Sequence, residues 1–303
     1  MEKRLTTSAM LFSVGFIFML VCAVGAFFYG MHIGSSKVEA KYASENEKSS
    51  TDPSHYQQQD LVSFYHTVFS PYREFQDEWL DAMNKLAQGQ TIDESALFKG
   101  LSKLAGSKAK EASSFDMQKS PLLGKAQNSY IRSLKLFKDA SDKAASLGKS
   151  AKAGNLKDQI EKEKIYVQAV QEAYAAQQAY FEAMEKWASS IDPNIVKDYK
   201  ASKPLKLSDW STLPIAIKNR LNAEQLKEQK LLLPFYPQDL SSRIDDFIKS
   251  GQADKMMLET YEQIVQLLID TEAVRAGDFI RNKNKYYQNE LMPQVPYFFP
   301  GAK

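Results

Sequence analysis

The stretch Asn155–Ser190, NLKDQIEKEKIYVQAVQEAYAAQQAYFEAMEKWASS, has apolar residues at helical spacing on two sides. One row consists of Ile160, Val167, Tyr174, Phe181 and Ala188, and the other of Tyr166, Ala169, Ala173, Ala176, Tyr180, Ala183 and Trp187. A helix with two apolar rows packs against neighbours on two sides, and the alanines of the second row allow one neighbour to approach closely. The stretch is therefore predicted to be the central helix of an antiparallel bundle.

The aromatic residues of this helix permit two interpretations. Tyr166, Tyr174, Tyr180 and Trp187 could line a ligand groove or fill the core of the bundle. Aromatic residues at helical spacing usually fill a core, so the core interpretation is favoured.

Three helices are predicted before the central one. Two interleaved seven-residue apolar series over residues 57–88 indicate a single helix, kinked at Pro71. The TIDE sequence at Thr91–Glu94 is typical of a capping box and predicts a shorter helix to about Ala105. Ser120 and Pro121 predict the start of a third helix, which ends near Leu147. Residues 106–119 are too polar and irregular to assign.

The region after the central helix is divided by five prolines, which predict a Pro-rich cap of short helices. Two of these helices are expected at Pro214–Leu221 and, behind an Asn222 cap, at Ala223–Leu231. The apolar segment Leu231–Pro237, LLLPFYP, is interpreted as a buried turn. An exposed contact patch for a partner is the alternative.

The C-terminal part is predicted to form one long helix from about Ala253 to Asn289. The tail that follows, LMPQVPYFFPGAK, contains three prolines and three consecutive aromatic residues, so we expect it to fold back onto the domain. Docking of the tail on a partner or on a membrane interface is the alternative. The predicted fold class is all-α, an antiparallel helical bundle with the Pro-rich cap.

The N-terminus contains the one continuous apolar run of the chain, Ala9–Tyr29, long enough to span a bilayer as a helix. Because Lys3 and Arg4 precede it, residues 1–8 are predicted to be cytoplasmic, residues 9–30 a transmembrane anchor, and the following chain extracytoplasmic. A cleaved signal peptide is an alternative, although the run is long for one. A lipoprotein cysteine at Cys22 is a weaker alternative, because no small residue directly precedes it.

Residues 31–55 are rich in Ser, Glu and Lys and are predicted to form a flexible linker to an extracytoplasmic helical domain, residues 56–303. Ala26, Gly30 and Gly34 lie four residues apart, a spacing that allows helix pairing in lipid, so a homodimer is possible. The simpler interpretation is that the two glycines begin the linker.

The composition of the chain excludes some classes of partner and favours one cellular location. Lys+Arg 39 against Asp+Glu 37 gives a net charge of only +2, and no basic run alternates with aromatic residues, so nucleic acid is not expected as a partner. The only cysteine lies in the apolar run, so the outer domain has no disulfide. The chain also lacks an Asn-x-Ser/Thr sequon, which favours a bacterial cell envelope over an endoplasmic reticulum lumen.

No catalytic, cofactor-binding or metal-binding residues are predicted, because none of the catalytic, metal-binding or phosphate-binding motifs is present. His66 is expected at the surface, and the carboxylates Asp77, Glu78, Asp81, Asp245 and Asp246 are expected on solvated faces or near helix starts. We therefore expect a non-enzymatic protein that binds or scaffolds a protein partner in the cell envelope. A ligand-sensing module with a cavity between bundle helices is the alternative, and an envelope hydrolase is a third class.

Overall fold

The computed structural model describes residues 56–117, 120–148 and 156–300. The described residues belong to one compact unit. The predicted anchor and linker, with Cys22 and the small residues considered for helix pairing, lie outside the described residues. Within the described residues the chain is predominantly helical and has no strand, only an isolated bridge between Lys206 and Thr260. The all-α fold class is therefore confirmed for this part of the chain.

The first half of the described chain forms the long helices. They are α1 (Gln58–Phe64), a π-helical segment (Tyr65–Phe69), α2 (Ser70–Ala87), α3 (Glu94–Ala112), α4 (Pro121–Leu147), α5 (Leu156–Lys162) and α6 (Lys164–Ile191). Successive long helices run antiparallel, and α4 packs closely on α6, where Ser133 Oγ donates a hydrogen bond to the carbonyl of Ala169 at 2.8 Å. The alanine row of α6 faces this contact, which gives the close approach that small residues permit.

Pro71 lies inside the first helical run without ending it, as predicted. Residues 58–87 are continuously helical, and the π-helical segment lies directly before the proline. There the N–H of Ser70 bonds to the carbonyl of Tyr65, five residues earlier. This wider turn accommodates a residue that has no N–H to donate and whose ring crowds the preceding turn.

The start and end of α3 differ from the prediction. The capping residue is Asp93, whose carboxylate accepts a hydrogen bond from the N–H of Ala96 at 2.9 Å, and not Thr91. The helix also continues past Ala105 to Ala112, because Ala109 and Ala112 are small enough to be buried against the neighbouring helices.

The single central helix predicted over residues 155–190 is wrong at one position. Glu163 has an extended backbone and divides the stretch into α5 and α6, and its carboxylate pairs with Lys143 of α4 at 2.5 Å. The break turns α5 towards α2 and α4. The two apolar sides of α6 are otherwise as predicted: Phe181 is buried on one side and Ala176 on the other.

The second half consists of shorter helices. They are α7 (Leu207–Thr212), α8 (Ile215–Leu226), α9 (Pro237–Lys249), α10 (Gln252–Lys255), α11 (Tyr261–Asp270) and α12 (Asp278–Tyr286). The predicted helix boundary at Asn222 is wrong, because α8 passes through it. Asn222 is buried, donates a hydrogen bond to Ser241 Oγ at 2.7 Å and accepts one from the hydroxyl of Tyr261 at 2.8 Å. These tertiary contacts use the side chain that was expected to cap a helix.

The prediction of one helix from Ala253 to Asn289 is also wrong, since this stretch contains α11, α12 and most of α10. Met257 and Glu272 have φ values of 54° and 51°, and Gly277 has a φ of 82°. An α-helix cannot continue through residues in the left-handed region. At the first of these breaks the backbone N–H of Tyr261 bonds to the carbonyl of Leu205 at 2.8 Å, a contact with a distant segment.

The tail folds back onto the domain, as expected. Tyr297 is buried between Tyr65 and Phe69, with ring centroids 5.4 Å and 5.6 Å away, and Phe298 packs edge-on against Phe279. The tail is therefore part of the core. Its last three residues lie outside the described part of the chain.

Candidate functional site

A groove opens at the end of the bundle where α2 ends and α6 begins. We call it the bundle-end groove. Its volume is about 330 Å³. It is lined by Trp79, Leu80, Met83, Asn84, Lys157, Glu161, Tyr166, Leu231, Leu232, Leu233, Pro234, Phe235, Ile269, Glu272 and Val274. Most of these side chains are apolar, and they come from four separate parts of the sequence.

The floor of the groove is aromatic. Trp79 is fully buried and stacks on Tyr166, with ring centroids 5.7 Å apart and an interplanar angle of 16°. Phe137 supports the indole from behind, at 4.8 Å between ring centroids. The indole nitrogen of Trp79 is buried and has no hydrogen-bond partner among the described residues. Large rings held by several neighbours make a floor that cannot collapse into the groove.

One wall of the groove is the segment Leu231–Phe235, and bundle side chains hold its backbone. The hydroxyl of Tyr174 donates to the carbonyl of Leu231 at 2.9 Å and accepts from the N–H of Leu233 at 3.0 Å. The hydroxyl of Tyr166 accepts from the N–H of Leu232 at 3.2 Å. These bonds satisfy backbone groups that lack helical partners, so the wall has a fixed shape before anything binds.

Further contacts fix the same wall. The side-chain amide of Gln76 donates to the carbonyl of Leu233 at 3.0 Å and accepts a bond from the hydroxyl of Tyr236 at 3.1 Å. Burial raises the pKa of Tyr166 to about 12 and also raises that of Tyr174. Both tyrosines therefore stay protonated at neutral pH, and Tyr174 keeps the proton that it donates to the wall.

The opposite wall is formed by the end of α11 and the turn after it. Ile269 and Val274 contribute apolar side chains, and the left-handed backbone of Glu272 makes the sharp turn between them. At the rim, Lys157 and Glu161 of α5 form an ion pair at 2.6 Å, and Asn84 is exposed. The groove thus combines an apolar interior with a polar rim, the pattern of sites that bind apolar groups and orient them by a few polar contacts.

Leu231 is an exposed apolar residue at the lip of the groove. It is 44% exposed, whereas its neighbour Leu232 is buried. The segment LLLPFYP is therefore largely a buried turn, as interpreted, in which Leu231 and Pro234 are exposed. Contact of its exposed residues with a partner stays a prediction. Tyr174, Tyr180 and Trp187 fill the core, as favoured, while Tyr166 both fills the core and lines the groove.

The expectation that Asp245 lies on a solvated face is wrong. Asp245 is buried and pairs with Lys218 of α8, with both carboxylate oxygens 2.9 Å from the ammonium. It also accepts hydrogen bonds from Trp210 Nε1 at 2.8 Å and from the hydroxyl of Tyr287 at 2.7 Å. Both carboxylate oxygens are engaged by protein donors, so this cluster ties α7, α8, α9 and the chain after α12 together.

The other polar residues considered from the sequence lie apart from the groove. His66, Asp77, Glu78 and Asp81 are exposed, and Asp246 pairs with Arg243 at the surface. In the described part of the chain no three His, Cys, Asp or Glu side chains are placed to hold a metal ion.

A wider depression of about 770 Å³ lies between α4 and α6. Its lining is largely polar, and its charges are partly paired, as in the ion pair between Arg132 and Glu172 at 3.5 Å. It offers an apolar group less burial than the bundle-end groove does.

No helix within the described residues is both long and apolar enough to cross a bilayer. Comparison of the chain with known protein families, with characterised proteins and with solved structures gives no match.

Proposed function

We propose that this protein is a membrane-anchored, extracytoplasmic binding module of the bacterial cell envelope, and that its bundle-end groove receives an apolar segment of a protein partner. The observation that carries this proposal is the groove itself: an apolar interior with a preformed wall and an exposed leucine at its lip. A preformed wall lowers the entropy cost of binding, and an exposed large apolar side chain beside a cavity is typical of contact sites.

The position of the groove fits a tethered module. The chain enters the described domain at Tyr56, and the helical run 58–87 carries it to Trp79, about 30 Å further along the helix axis at 1.5 Å per residue. The groove is therefore at the opposite end of the bundle from Tyr56, where the described chain begins. A tether at one end would leave the groove accessible to a partner in the envelope.

The membrane part of the proposal rests on the apolar run at residues 9–29 and on Lys3 and Arg4 before it. A reporter fused after Lys303 should be active only outside the cytoplasm. External protease should likewise remove the C-terminus in cells whose outer layers are permeabilised but whose membrane is intact. A C-terminus that becomes cleavable only after lysis would contradict the orientation.

The groove is tested by site-specific photocrosslinking in the native host. A photoreactive phenylalanine analogue at Leu231 should give a covalent adduct with a polypeptide, because this position is at the lip. The same analogue at Lys103, exposed on α3 away from the groove, should not. Identical products from the two positions would contradict a specific site.

A matched pair of variants tests whether the groove interior is needed. Ile269→Arg places a charge in the apolar wall and should abolish the adduct from Leu231. Gln266→Arg, an exposed position on the same helix that does not line the groove, should preserve it. Circular dichroism serves as the control, and both variants should give the helical spectrum of the wild type. An adduct that persists in Ile269→Arg would refute the proposed site.

A small apolar ligand is the second candidate, favoured by the groove volume of about 330 Å³, which lies in the range of small-molecule pockets. The module would then sense a ligand. The same crosslinking experiment separates the two candidates, because an adduct from Leu231 that is too small for a polypeptide would identify a small molecule.

A further inference from the structure

The loop that follows α6 exposes apolar side chains. Ile191, the last residue of α6, is 54% exposed, and Val196 is 59% exposed. Single exposed apolar residues are common, but two large ones within six residues place a small apolar patch at the surface.

The same loop carries a local excess of positive charge. Lys197, Lys200 and Lys203 are exposed. Asp198 is paired with Lys186 of α6 at 2.8 Å, and this ion pair lowers the pKa of the Asp198 carboxyl. Within residues 191–204, Asp192 is then the one acidic residue left to balance Lys197, Lys200 and Lys203, because Asp198 is neutralised by Lys186. We call residues 191–204 the basic loop.

The basic loop lies at the end of the bundle where the described chain begins. The hydroxyl of Tyr180 donates to the carbonyl of Leu61 at 2.9 Å, so α6 runs past the start of α1. Further along α6, the pKa of Lys186 is raised first by its hydrogen bond with Asp198, then by Glu182 and, less, by nearby Tyr56. Ile191 lies about 7.5 Å beyond Lys186 along the helix axis.

We propose that the basic loop docks on the surface of the bilayer that holds the anchor, with Ile191 and Val196 at the interface and the lysines on anionic lipid headgroups. This inference rests on the membrane anchor of the proposed function. Apolar side chains flanked by lysines are the chemistry that binds an anionic membrane surface.

The length of the tether supports this occupant. Residues 31–55, whose composition predicts a flexible linker, would span about 25–30 Å on average. The groove end of the bundle, at Tyr166, is about 38 Å from Ile191 along α6. Because the described chain begins at the end of the bundle that carries the basic loop, this loop would reach the bilayer with less extension of the tether than the groove would, and docking would hold the groove away from the membrane.

The test uses the full chain in vesicles of anionic phosphatidylglycerol with brominated acyl chains. In a Cys22→Ser background, Val196→Cys or Asn84→Cys is labelled with an environment-sensitive fluorophore. Asn84 is the matched control, exposed at the groove end. Bromine should quench the label at position 196 and leave that at position 84 unchanged. Flotation of the vesicles verifies anchoring of each variant.

Charge reversal tests the electrostatic contribution. Each lysine near an anionic surface strengthens binding about 5-fold, so reversing Lys197, Lys200 and Lys203 to glutamate should weaken docking by at least about 100-fold and abolish quenching at position 196. Vesicles of zwitterionic lipid should likewise weaken docking of the wild-type loop and abolish quenching at position 196.

Several outcomes would overturn the inference. Flotation without quenching at position 196, equal quenching at both positions, or quenching that survives charge reversal would refute docking and leave the anchor intact. Disulfide formation between unlabelled Val196→Cys copies under a mild oxidant, together with an absence of lipid quenching in the labelled protein, would identify a second copy of the chain as the occupant. A chain that does not float would refute the anchor and, with it, the docking.

Discussion

Replacing Tyr174 by phenylalanine removes one hydroxyl that serves two backbone groups of the groove wall. That hydroxyl donates to the carbonyl of Leu231 and accepts from the N–H of Leu233. Each of the two lost hydrogen bonds contributes about 1 kcal/mol net, and because both backbone partners are only partly buried, water satisfies them afterwards and no separate burial penalty is added. We therefore expect Tyr174→Phe to lower the free energy of unfolding by about 2 kcal/mol.

The assay is urea unfolding of a fragment that begins at His55 and ends at Lys303, which should fold without the anchor because the described domain has a continuous core. With a slope of about 2–3 kcal/mol/M, the midpoint should fall by about 0.7–1 M. The amide of Leu233 should also exchange its hydrogen faster, because its acceptor is gone.

Tyr72→Phe is the matched control. Tyr72 is also buried, but its hydroxyl bonds to Ser133 Oγ at 3.3 Å, and Ser133 keeps its own bond to the carbonyl of Ala169. The variant should therefore lose no more than about 1 kcal/mol. Equal midpoints for Tyr174→Phe and Tyr72→Phe, with unchanged exchange at Leu233, would refute the account of the wall.

Three further predictions use the same fragment. Ala176→Leu should cost about 1–3 kcal/mol by overpacking the contact between α6 and α4, whereas Lys164→Ala, at an exposed position, should stay within about 0.5 kcal/mol; equal urea midpoints would contradict two-sided packing. Lys218→Met leaves the buried Asp245 carboxylate without its cation and should cost about 3–5 kcal/mol, whereas Lys285→Met, in a solvent-exposed surface pair, should leave stability nearly unchanged. Similar thermal unfolding temperatures for the two variants would be inconsistent with this. Burial raises the pKa of Asp239 to about 6 from its ordinary value of 3.8, although backbone N–H donors act to lower it. Because the pKa is higher in the folded state than in the unfolded state, protonation of Asp239 stabilises the fold. The free energy of unfolding of the wild type relative to Asp239→Asn should therefore fall by about 3 kcal/mol as the pH rises from about 4 to above about 6. A difference that stays constant over this range would exclude the linkage.

The periodic apolar rows of the sequence were sufficient to identify the long helices. On α6, residues three and four apart lie on one face, so two rows predict two buried sides whatever the neighbours are. The same periodicity predicts that the first helix continues through Pro71, because the helical spacing of apolar residues from Val68 to Phe75 is unbroken. These features depend on local backbone geometry, which the pattern of neighbouring residues predicts.

The ends and breaks of helices were decided by tertiary contacts. Asn222 has the side chain of a capping residue, yet its bonds to Ser241 and Tyr261 hold it inside α8. The C-terminal stretch has helical spacing, yet the bond from Tyr261 to the carbonyl of Leu205 competes with continued helix. A break costs only a few local hydrogen bonds, so a contact with a distant segment can outweigh the local preference.

The groove could not be predicted as a site, although parts of it were visible in the sequence. The LLLPFYP segment is visible in the sequence because a short apolar run interrupted by prolines is either buried or exposed as a contact surface. Its partners, Trp79 on α2, Tyr166 on α6 and Val274 after α11, are far apart in the chain. The sequence by itself determined which residues are apolar and on which face of a helix they lie. Only the tertiary structure decided which of those faces meet and where they leave a gap, because a cavity depends on distances between segments that no local pattern encodes.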